Sequence, residues 1–372
     1  MKLAVKKEVL ASALYRVQGV AERKSTTPAL SHVLVEALKE GVVRISATDL
    51  EIAITGDYAA KVDEPGKVLV SARSLFEITR SVTGEDVQLR SREGGELEVK
   101  AGRSEWKLIC LPAADFPGLP QLGGVETFSI TVGELSRLCQ RTVYAALQDD
   151  SRPNLNGVMF EGVQGRLRIV AADGHRLAKA DGTIKKAPKG ALKEKVIVPR
   201  KAMNELRRLL DGEKGECEIG FSDRAGLVRC GNVVLMLRLI EGKYPDYNQV
   251  IPAASEWKVV AERAPLVGAL KRVSILSSES ATTTRVELEK GAIRFVVSNP
   301  DAGEAKEEIP AEYTGRKLQI GFNARYLIDA LASFECDAVQ LEFNDELSPC
   351  LMRPHGEKVD DDTAAIVMPM RI

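Results

Sequence analysis

The chain has 372 residues, of which 44% are hydrophobic and 28% charged, and its formal net charge at pH 7 is −1. This near balance gives no sign of a protein that binds nucleic acid with its whole surface. No apolar run reaches the length of a membrane-spanning helix, about 18 residues, and no basic-then-apolar leader opens the sequence, so we expect a cytoplasmic protein. The six cysteines include no C-x-x-C pair, which favours reduced, buried thiols over disulfides or zinc ligands.

The first third of the chain predicts two helices among short strands. Apolar residues at three- and four-residue spacing predict a helix over Lys7 to Val20. Alternating runs from His32, Val42 and Lys67 predict strands, and a second helix follows over Arg73 to Val82. A segment rich in proline and glycine, Pro112 to Gly124, then predicts the first domain boundary.

The rest of the chain repeats this order of elements. Further helices are predicted over Thr131 to Ala145, Pro199 to Leu210, Ala264 to Leu276 and Ala324 to Phe334, and a last strand over Ala364 to Ile372. On the first of these helices we expect Leu135 and Leu138 to face inward and Arg137 and Arg141 to face outward. A second boundary is predicted from the proline-containing segments Tyr244 to Tyr247 and Ile251-Pro252.

Two motifs show that the chain contains an internal repeat. GVVRISATD begins at Gly41, GRLRIVAAD at Gly165 and GAIRFVVSN at Gly291, at spacings of 124 and 126 residues. A β-rich run followed by an amphipathic helix begins at Lys67, Lys195 and Lys317, at spacings of 128 and 122 residues. Two independent motifs with one period predict three similar α+β domains, 1–124, 125–253 and 254–372, each with two helices packed on antiparallel sheets.

The charge is distributed unevenly between the predicted helices and the remainder. The six helices sum to +9, which leaves −10 for everything else. A charged solvent face is ordinary for any one helix, but five of the six have the same sign. Like domains joined front to back leave one unpaired surface at each end, and a second copy of the chain closes six domains into a ring. If the helices line its inner wall, Arg137, Arg141, Arg200, Lys201, Arg207 and Lys271 are candidates for phosphate contact without base reading.

The sequence carries little that indicates catalysis, a cofactor or a bound metal. There is no phosphate-binding glycine loop, no H-E-x-x-H and no G-x-S-x-G, and the three histidines, His32, His175 and His355, lack ligand spacing. Asp173 and His175 could form an acid/base pair, but Asp-Gly in Asp173-Gly174-His175-Arg176 is first of all a turn signal. We therefore expect a turn there, no enzyme, no cofactor and no metal site.

Several stretches together resemble one protein family. They are LPAADFP from Leu111, LNG from Leu155, ADGHRLA from Ala172, VIVPRK from Val196, GKYPDY from Gly242, GFN from Gly321 and VMPMR from Val367. With the threefold repeat, they make the whole chain similar to the beta subunit of bacterial DNA polymerase III, the sliding clamps. The resemblance implies a head-to-tail homodimer that closes a six-domain ring around DNA and has no reaction of its own.

The resemblance also implies a cleft that binds an extended partner peptide containing Gln, Leu and Phe. Its residues here are Leu155, Ala172, Gly174, His175, Arg176, Leu177, Pro245, Val250, Ile366, Val367, Met368, Pro369 and Met370. Leu, Val, Ile, Met and Pro suit an apolar groove, and methionine adapts to different ligands.

By the same resemblance, Trp106 and Leu108 would meet Ile275 and Leu276 of a second chain, and Lys24, Arg73, Gln148 and Arg152 would contact DNA. The implied partners are duplex DNA, a second copy, the replicative polymerase catalytic subunit, the clamp loader, and other polymerases and repair factors that carry a clamp-binding peptide. Two alternatives stay open at this point: an enzyme that uses Asp173 and His175, and a repeat scaffold that binds proteins but not DNA.

Overall fold

The computed structural model describes residues 1–21, 26–120, 124–149, 151–185, 195–252, 255–278, 283–356 and 363–372. Its α-helices are α1 (Lys7–Val17), α2 (Ala72–Ser81), α3 (Val132–Thr142), α4 (Arg200–Leu210), α5 (Arg263–Val273) and α6 (Ala324–Ala332). Side chains cap two of the starts: Ser71 accepts a hydrogen bond from the Ser74 amide and Asn323 from the Arg325 amide. All six helices were predicted within a few residues, because each has a clear apolar stripe.

The strands of the first half of the chain are short and closely spaced. They are β1 (Lys2–Lys6), β2 (His32–Leu38), β3 (Val42–Thr48), β4 (Ile52–Ala59), β5 (Lys61–Glu64), β6 (Gly66–Ser71), β7 (Asp86–Arg92), β8 (Glu96–Ala101), β9 (Ser104–Leu111), β10 (Thr127–Thr131), β11 (Gly157–Val163), β12 (Arg166–Ala172) and β13 (Arg176–Thr183).

The second half continues the same pattern. Its strands are β14 (Val196–Pro199), β15 (Glu216–Phe221), β16 (Ala225–Cys230), β17 (Val233–Arg238), β18 (Trp257–Glu262), β19 (Thr283–Glu289), β20 (Ala292–Asn299), β21 (Gly303–Pro310), β22 (Leu318–Asn323), β23 (Ala338–Phe343), β24 (Cys350–His355) and β25 (Ala364–Val367). Every recorded strand pair is antiparallel, as an α+β chain of hairpins predicts.

One compact unit comprises residues 1–133, 184–192 and 201–239, as far as they are described. It holds a continuous sheet of 13 strands in the order β10-β15-β16-β17-β4-β3-β2-β6-β9-β8-β7-β1-β5. Helices α1 and α2 pack together over it and bury Leu10, Leu14 and Leu75 completely. This unit contains the pairing between β4 and β17, in which Ile52 stands opposite Leu237.

The other compact unit comprises residues 134–183, 193–200 and 240–372, as far as they are described. It holds an eight-stranded sheet, β14-β11-β12-β13-β25-β24-β23-β18, and a four-stranded sheet, β21-β20-β19-β22. Its main core surrounds α5 and α6 and includes Leu270, Phe295, Phe322 and Leu331. A separate apolar cluster lies on the eight-stranded sheet, with Met159, Val170, Leu177, Tyr247 and Ile366 among its members.

The internal repeat is visible at the level of single hydrogen bonds. In one unit the Asp49 carboxylate accepts the amides of Glu51 and Ile52, at 3.0 and 2.6 Å. In the other unit the Asp173 carboxylate accepts the amides of His175 and Arg176, at 2.9 and 3.0 Å. The two turns occupy the same place in their copies, so the predicted repeat and the predicted turn are confirmed.

The cysteine prediction was wrong for one pair. Cys217 and Cys230 stand directly opposite each other in the β15–β16 hairpin and form a disulfide, with Cα atoms 4.5 Å apart. This pair could not be predicted because the register of the hairpin, rather than a spacing motif, brings the two residues together. Of the free cysteines, Cys139 and Cys350 are buried as predicted, and Cys110 and Cys336 are half-buried.

The last strand is shorter than predicted. It ends at Val367, and residues 368–372 continue without regular structure apart from a single bridge between Met370 and Gly321. Pro369 has no N–H to donate, which prevents the ladder from continuing through that position. In the described part of the chain, no helix is long and apolar enough to cross a membrane.

Candidate peptide-binding cleft and DNA-contact residues

The turn from Asp173 to Arg176 is the centre of the candidate cleft. Gly174 has a φ of +92°, a conformation that glycine adopts without steric cost. The carboxylate of Asp173 is committed to the amides of His175 and Arg176, and its Oδ2 also accepts from Arg176 Nε at 3.0 Å. His175 is exposed, and its ring stacks on Tyr326 with centroids 6.3 Å apart. Asp173 therefore stabilises the turn. Its bond with His175 involves the His175 backbone amide, so it does not support the hypothesis of an acid/base pair formed by the two side chains.

Arg152 lies directly over this turn. Its Nη2 donates to the Asp173 carbonyl oxygen at 2.6 Å. A Cβ placed on Gly174 would lie 2.8 Å from Arg152 Nη1, so the glycine also leaves room for the guanidinium. The resemblance implies DNA contact for Arg152; in the structure its side chain is exposed and also forms part of the wall of the cleft.

Arg176 is a buried cation, with only 7% of its surface exposed. Its Nη1 donates to Asp329 at 2.6 Å, and its guanidinium lies 4.5 Å from the ring centre of Tyr326. Burial opposes the charge of Arg176, but Asp329 and Asp173 outweigh it and raise the pKa of the guanidinium above its ordinary value. The charge of Arg176 is thus fixed in the floor of the cleft.

The chain between the second and third copies forms the opposite wall. Tyr247 packs in the apolar cluster on the eight-stranded sheet, and its hydroxyl donates to Glu161 at 2.8 Å and accepts from Arg168 at 3.3 Å. Burial raises the pKa of Tyr247, and burial likewise raises that of Tyr244. Asp246 caps the following turn by accepting the Asn248 amide, which lowers the pKa of its exposed carboxyl group.

The C-terminal segment closes the cleft. Strand β25 pairs with β13, placing Val367 opposite Arg176 and Ile366 opposite Leu177. Beyond the strand, the Met368 amide donates to the His175 carbonyl at 2.8 Å. The C-terminal VMPMR therefore begins at the last residue of β25 and continues as part of the cleft wall.

These elements enclose a cavity of about 190 Å³. It is lined by Arg152, Leu155, Ala172, Gly174, Arg176, Leu177, Tyr244, Pro245, Asp246, Tyr247, Val250, Ile366 and Met368. Nine of the thirteen residues proposed from the sequence line it, and His175, Val367, Pro369 and Met370 are not part of its lining. Arg152, Tyr244, Asp246 and Tyr247 were not predicted, although the proline-containing segment Tyr244 to Tyr247 had been singled out as a boundary.

The basic residues proposed for DNA contact differ widely in exposure. Arg73, Lys201, Arg207, Lys271 and Gln148 are exposed. Arg73 pairs with Glu77 at 2.8 Å on the exposed face of α2, and Lys201 pairs with Asp49. Arg200 is half-buried, and Lys24 lies outside the described residues.

Helix α3 does not present the basic face that was predicted. Arg141 is 8% exposed and donates to the Thr363 hydroxyl at 2.6 Å, so it cannot reach a phosphate in solvent. Arg137 is half-buried and bonded to Glu134 and to the Asp181 carbonyl. The exposed residues of this helix are Gly133, Ser136 and Gln140. The prediction of an outward Arg137 and Arg141 was wrong because Asp181 of β13 and Thr363, just before β25, bind these side chains.

A polar groove of about 850 Å³ lies in the first unit beside α2 and α4. Four cationic side chains line it, Arg73, Arg80, Lys201 and Arg208, together with the carboxylates of Glu77 and Glu205. Arg208 donates to Glu205 at 2.8 Å, and burial raises the pKa of the Glu205 carboxyl group. The groove therefore has an excess of positive charge on a concave surface.

The residues proposed for ring closure lie on or beside exposed edges. Trp106, Leu108 and Leu276 are half-buried, and Ile275 is 78% exposed. The sequence did not single out Ile109, which is 83% exposed on β9. Among the described residues, no cluster of three or more potential metal ligands is found.

Comparison with known proteins agrees with this architecture. Residues 1–120 match the N-terminal domain of the DNA polymerase III beta subunit, residues 129–246 its central domain, and residues 248–371 its C-terminal domain. The chain belongs to this family. It therefore consists of three clamp domains in one chain, with mixed helices and antiparallel sheets.

Individual clamps are similar over their full length. The beta sliding clamp of Pseudomonas aeruginosa is 38% identical and that of Escherichia coli 32%, each covering all of both chains. The solved structure of a Pseudomonas aeruginosa clamp bound to griselimycin has a TM-score of 0.92 at 37% identity, with complete coverage of both chains. A clamp from Thermotoga maritima has a TM-score of 0.91 at 29% identity and covers all of this chain.

Proposed function

We propose that this chain is a processivity factor of DNA replication: a ring-shaped clamp that encircles duplex DNA without reading its sequence and tethers the replicative polymerase. The observation that carries the proposal is the cleft, in a chain that belongs to the clamp family over its whole length. An apolar cavity with a few fixed polar groups suits a short extended peptide held by a small number of anchor side chains. The replicative polymerase, the clamp loader, and other polymerases and repair factors dock there in turn.

The cleft residues act in different ways. Leu155, Leu177, Val250, Ile366 and Met368 supply the apolar surface, and the methionine adapts to different side chains. Arg152 and Arg176 are held by the turn and orient the backbone of the peptide. In this proposal the chain acts as a binding protein in the cytoplasm, where the chromosome is copied, and the Asp173 carboxylate holds the turn instead of taking part in a reaction.

The repeat supports a homodimer. The last strand of copy two, β17, pairs with β4 of copy one, and the last strand of copy three, β25, pairs with β13 of copy two. The backbone bonds are equivalent, since Arg238 N donates to Glu51 O and Met368 N to His175 O, both at 2.8 Å. The last strand of each copy thus pairs with the equivalent strand of the preceding copy. Two strands have no such partner within one chain: β9, the last strand of copy one, and β21 of copy three.

Both leftover strands have an open edge. In the described chain β21 pairs only with β20, and β9 pairs with β8 but meets β6 only at Leu111 and Cys110. In the dimer β9 of one chain pairs with β21 of the other chain, and the same contact forms a second time the other way round. This closes a ring and covers both of these open edges. The exposed Ile109 and Ile275 are covered in this arrangement, as are Trp106, Leu108 and Leu276.

DNA contact is assigned to cations that are exposed on the helices, Arg73, Lys201, Arg207 and Lys271, and to the exposed Gln148. Contacts of this kind bind phosphates and permit sliding. The domain limits follow the repeat, 1–124, 125–253 and 254–372; Ala253 lies outside the described residues.

The decisive experiment is fluorescence anisotropy of a labelled Gln-Leu-Phe-type peptide with the full chain and with a chain ending at Val367. Saturable binding by the full chain that is lost on truncation supports the cleft. The variant Leu347→Ser, which changes an exposed side chain of the β23–β24 turn, is the matched control and is expected to bind normally. Binding that survives the truncation, or no binding by any of the three, overturns the cleft assignment.

A further inference from the structure

The cleft depends on a side chain that does not line it. Arg176 lines the cavity, and two carboxylates hold it from behind, Asp173 through Nε at 3.0 Å and Asp329 through Nη1 at 2.6 Å. Asp173 is three residues away in the same turn, whereas Asp329 comes from the middle of α6. Because an arginine side chain has several rotatable bonds, the turn by itself leaves the outer end of the guanidinium free to move.

Aromatic rings complete the support. The Arg176 guanidinium carbon lies 4.5 Å from the ring centre of Tyr326 and 5.5 Å from that of Tyr144. Tyr326 precedes Asp329 by one helical turn, so both project from the same face of α6. Stacking on planar rings restricts the guanidinium to one orientation, and the ion pair with Asp329 selects its position within that plane.

The internal repeat shows that this arrangement is not simply a consequence of the fold. The sixth residue of the corresponding helix is acidic in every copy: Glu77 in α2, Glu205 in α4 and Asp329 in α6. Glu77 pairs with Arg73 and Glu205 pairs with Arg208, both within their own helices. Only Asp329 bonds a residue of a strand turn.

The residue that the turn aspartate binds also differs between copies one and two. Ile52 stands where Arg176 stands in the second copy, as their identical hydrogen bonds to the turn aspartate show. Ile52 is 2% exposed and is packed as an ordinary core residue. The fold thus accommodates an apolar side chain at this point, and the ion pair between the buried Arg176 and the half-buried Asp329 appears where the cleft lies.

We infer that Asp329 is a positioning residue of the peptide cleft, which holds the Arg176 guanidinium so that its remaining donors face a bound ligand. The inference rests on the proposed function of the cleft. A guanidinium has five N–H donors, and the bonds to Asp173 and Asp329 use two of them. The others meet a main-chain carbonyl or a carboxylate of an extended peptide. Asp329 reduces the ordering that binding requires, which is how a preformed site gains affinity.

The test is a double-mutant cycle between Asp329 and Arg176, read by anisotropy of the labelled Gln-Leu-Phe-type peptide. Asp329→Ala is expected to weaken binding about tenfold, and Asp329→Asn, which keeps the size of the side chain, by less. Arg176→Met is expected to weaken binding at least as much, and adding Asp329→Ala to it should change nothing further, because Asp329 acts through Arg176. Glu335→Ala, at an exposed acidic residue beyond the end of α6, is the matched control.

The possible outcomes separate the two proposals. Wild-type affinity in both Asp329 variants, or a loss from Asp329→Ala that persists undiminished in the Arg176→Met background, overturns the positioning role and leaves the cleft standing. Failure of the wild-type chain to bind overturns the cleft and this inference with it. Thermal unfolding of each variant identifies a misfolded protein, and in that case the isosteric Asp329→Asn decides.

Discussion

Met370 and Gly321 meet backbone to backbone: the Met370 amide donates to the Gly321 carbonyl at 2.8 Å, and a Cβ built on Gly321 would lie 2.6 Å from the Met370 carbonyl oxygen. The C-terminal tail can therefore lie along β22 only because residue 321 has no side chain. Since Met368, two residues earlier, lines the cleft, this contact also sets the position of the cleft wall.

Gly321→Ala is accordingly expected to displace the tail and weaken peptide binding. Because the clash is with backbone atoms, no rotation of a side chain relieves it. We expect a loss of about tenfold in peptide affinity, of the size that one misplaced anchor contact causes. The control is Gly133→Ala, at an exposed glycine of α3 with no atom within 4 Å of the added Cβ. Equal peptide affinity for the two variants would contradict the role of the tail contact.

Arg141 is expected to matter for stability rather than for DNA. Replacing it by Met removes a buried charged donor from the Thr363 hydroxyl and should lower the free energy of unfolding by about 1.5–3 kcal/mol. Urea unfolding measures this loss. The salt dependence of DNA binding should match that of the wild-type chain, and a reduced salt slope in Arg141→Met would show that the side chain reaches phosphate after all.

Arg207 and Lys271 are expected to behave in the opposite way. Both are exposed on helices, so their replacement by Gln should leave the unfolding transition unchanged. If each neutralises one phosphate, each change should lower the slope of log affinity against log salt by about 1. Lys258→Gln, at an exposed lysine of β18, serves as the control. An unchanged slope in both helix variants would contradict the proposal that these residues contact DNA.

The register of the proposed dimer can be derived from the repeat. The turn between β20 and β21 is one residue longer than that between β12 and β13, since Ser298 pairs with Glu304 and Ala172 with Leu177. When the β13–β25 register is applied to β21 and β9 with this extra residue, Glu304 of one chain stands opposite Leu108 of the other. Ala305 then stands opposite Lys107. By analogy with the bonds of β13 and β25, the second of these is a non-hydrogen-bonded pair, in which the side chains come closest.

A chain carrying both Lys107→Cys and Ala305→Cys, in a Cys110→Ser background, is therefore expected to form an intermolecular disulfide under mild oxidation. Burial raises the pKa of the nearby Cys110 thiol to about 11, but its removal excludes it as a competing partner. The offset combination of Lys107→Cys with Glu307→Cys is the matched control. Non-reducing electrophoresis that showed equal cross-linking in both, or none in either, would refute this register.

Glu98 should contribute to stability in a way that depends on pH. Hydrogen bonds from Lys100 and Arg92 lower the pKa of its carboxyl group to about 2, against about 4.3 in an unfolded chain. Because the folded-state pKa is the lower of the two, the stabilisation is complete above about pH 5 and is lost as the pH falls from there towards 2. Urea unfolding of wild type and Glu98→Gln should differ most at pH 7 and converge near pH 2. Glu93→Gln, at an exposed residue between β7 and β8, is the control variant. A difference between wild type and Glu98→Gln that stays the same from pH 7 to pH 2 would contradict the prediction.

Much of the local structure could be predicted because its causes are local. A conformation can be predicted from about ten residues in the helix stripes, in the turn residues and in the repeated segments GVVRISATD, GRLRIVAAD and GAIRFVVSN. The turn at Asp173 was predicted from Asp-Gly alone. The cleft residues, by contrast, were named from the family resemblance, since Leu155, Arg176 and Met368 lie too far apart in the sequence for any spacing rule to connect them.

The errors have a common origin. Arg141 has the spacing of an outward residue on α3 but is buried and bonded to Thr363. Cys217 and Cys230 become neighbours through the register of one hairpin. In each case pairing or packing with a second segment decided what the side chain touches.

The sequence by itself determined the three copies, their helices and strands, and the turn on which the cleft is built, because periodicity and turn chemistry act over short stretches of chain. Only the tertiary structure decided which cations remain in solvent, which strands keep an open edge, and that Asp329 supports Arg176. Those properties depend on pairing and burial between segments more than 100 residues apart, and no local sequence pattern predicts which residues will meet at that distance.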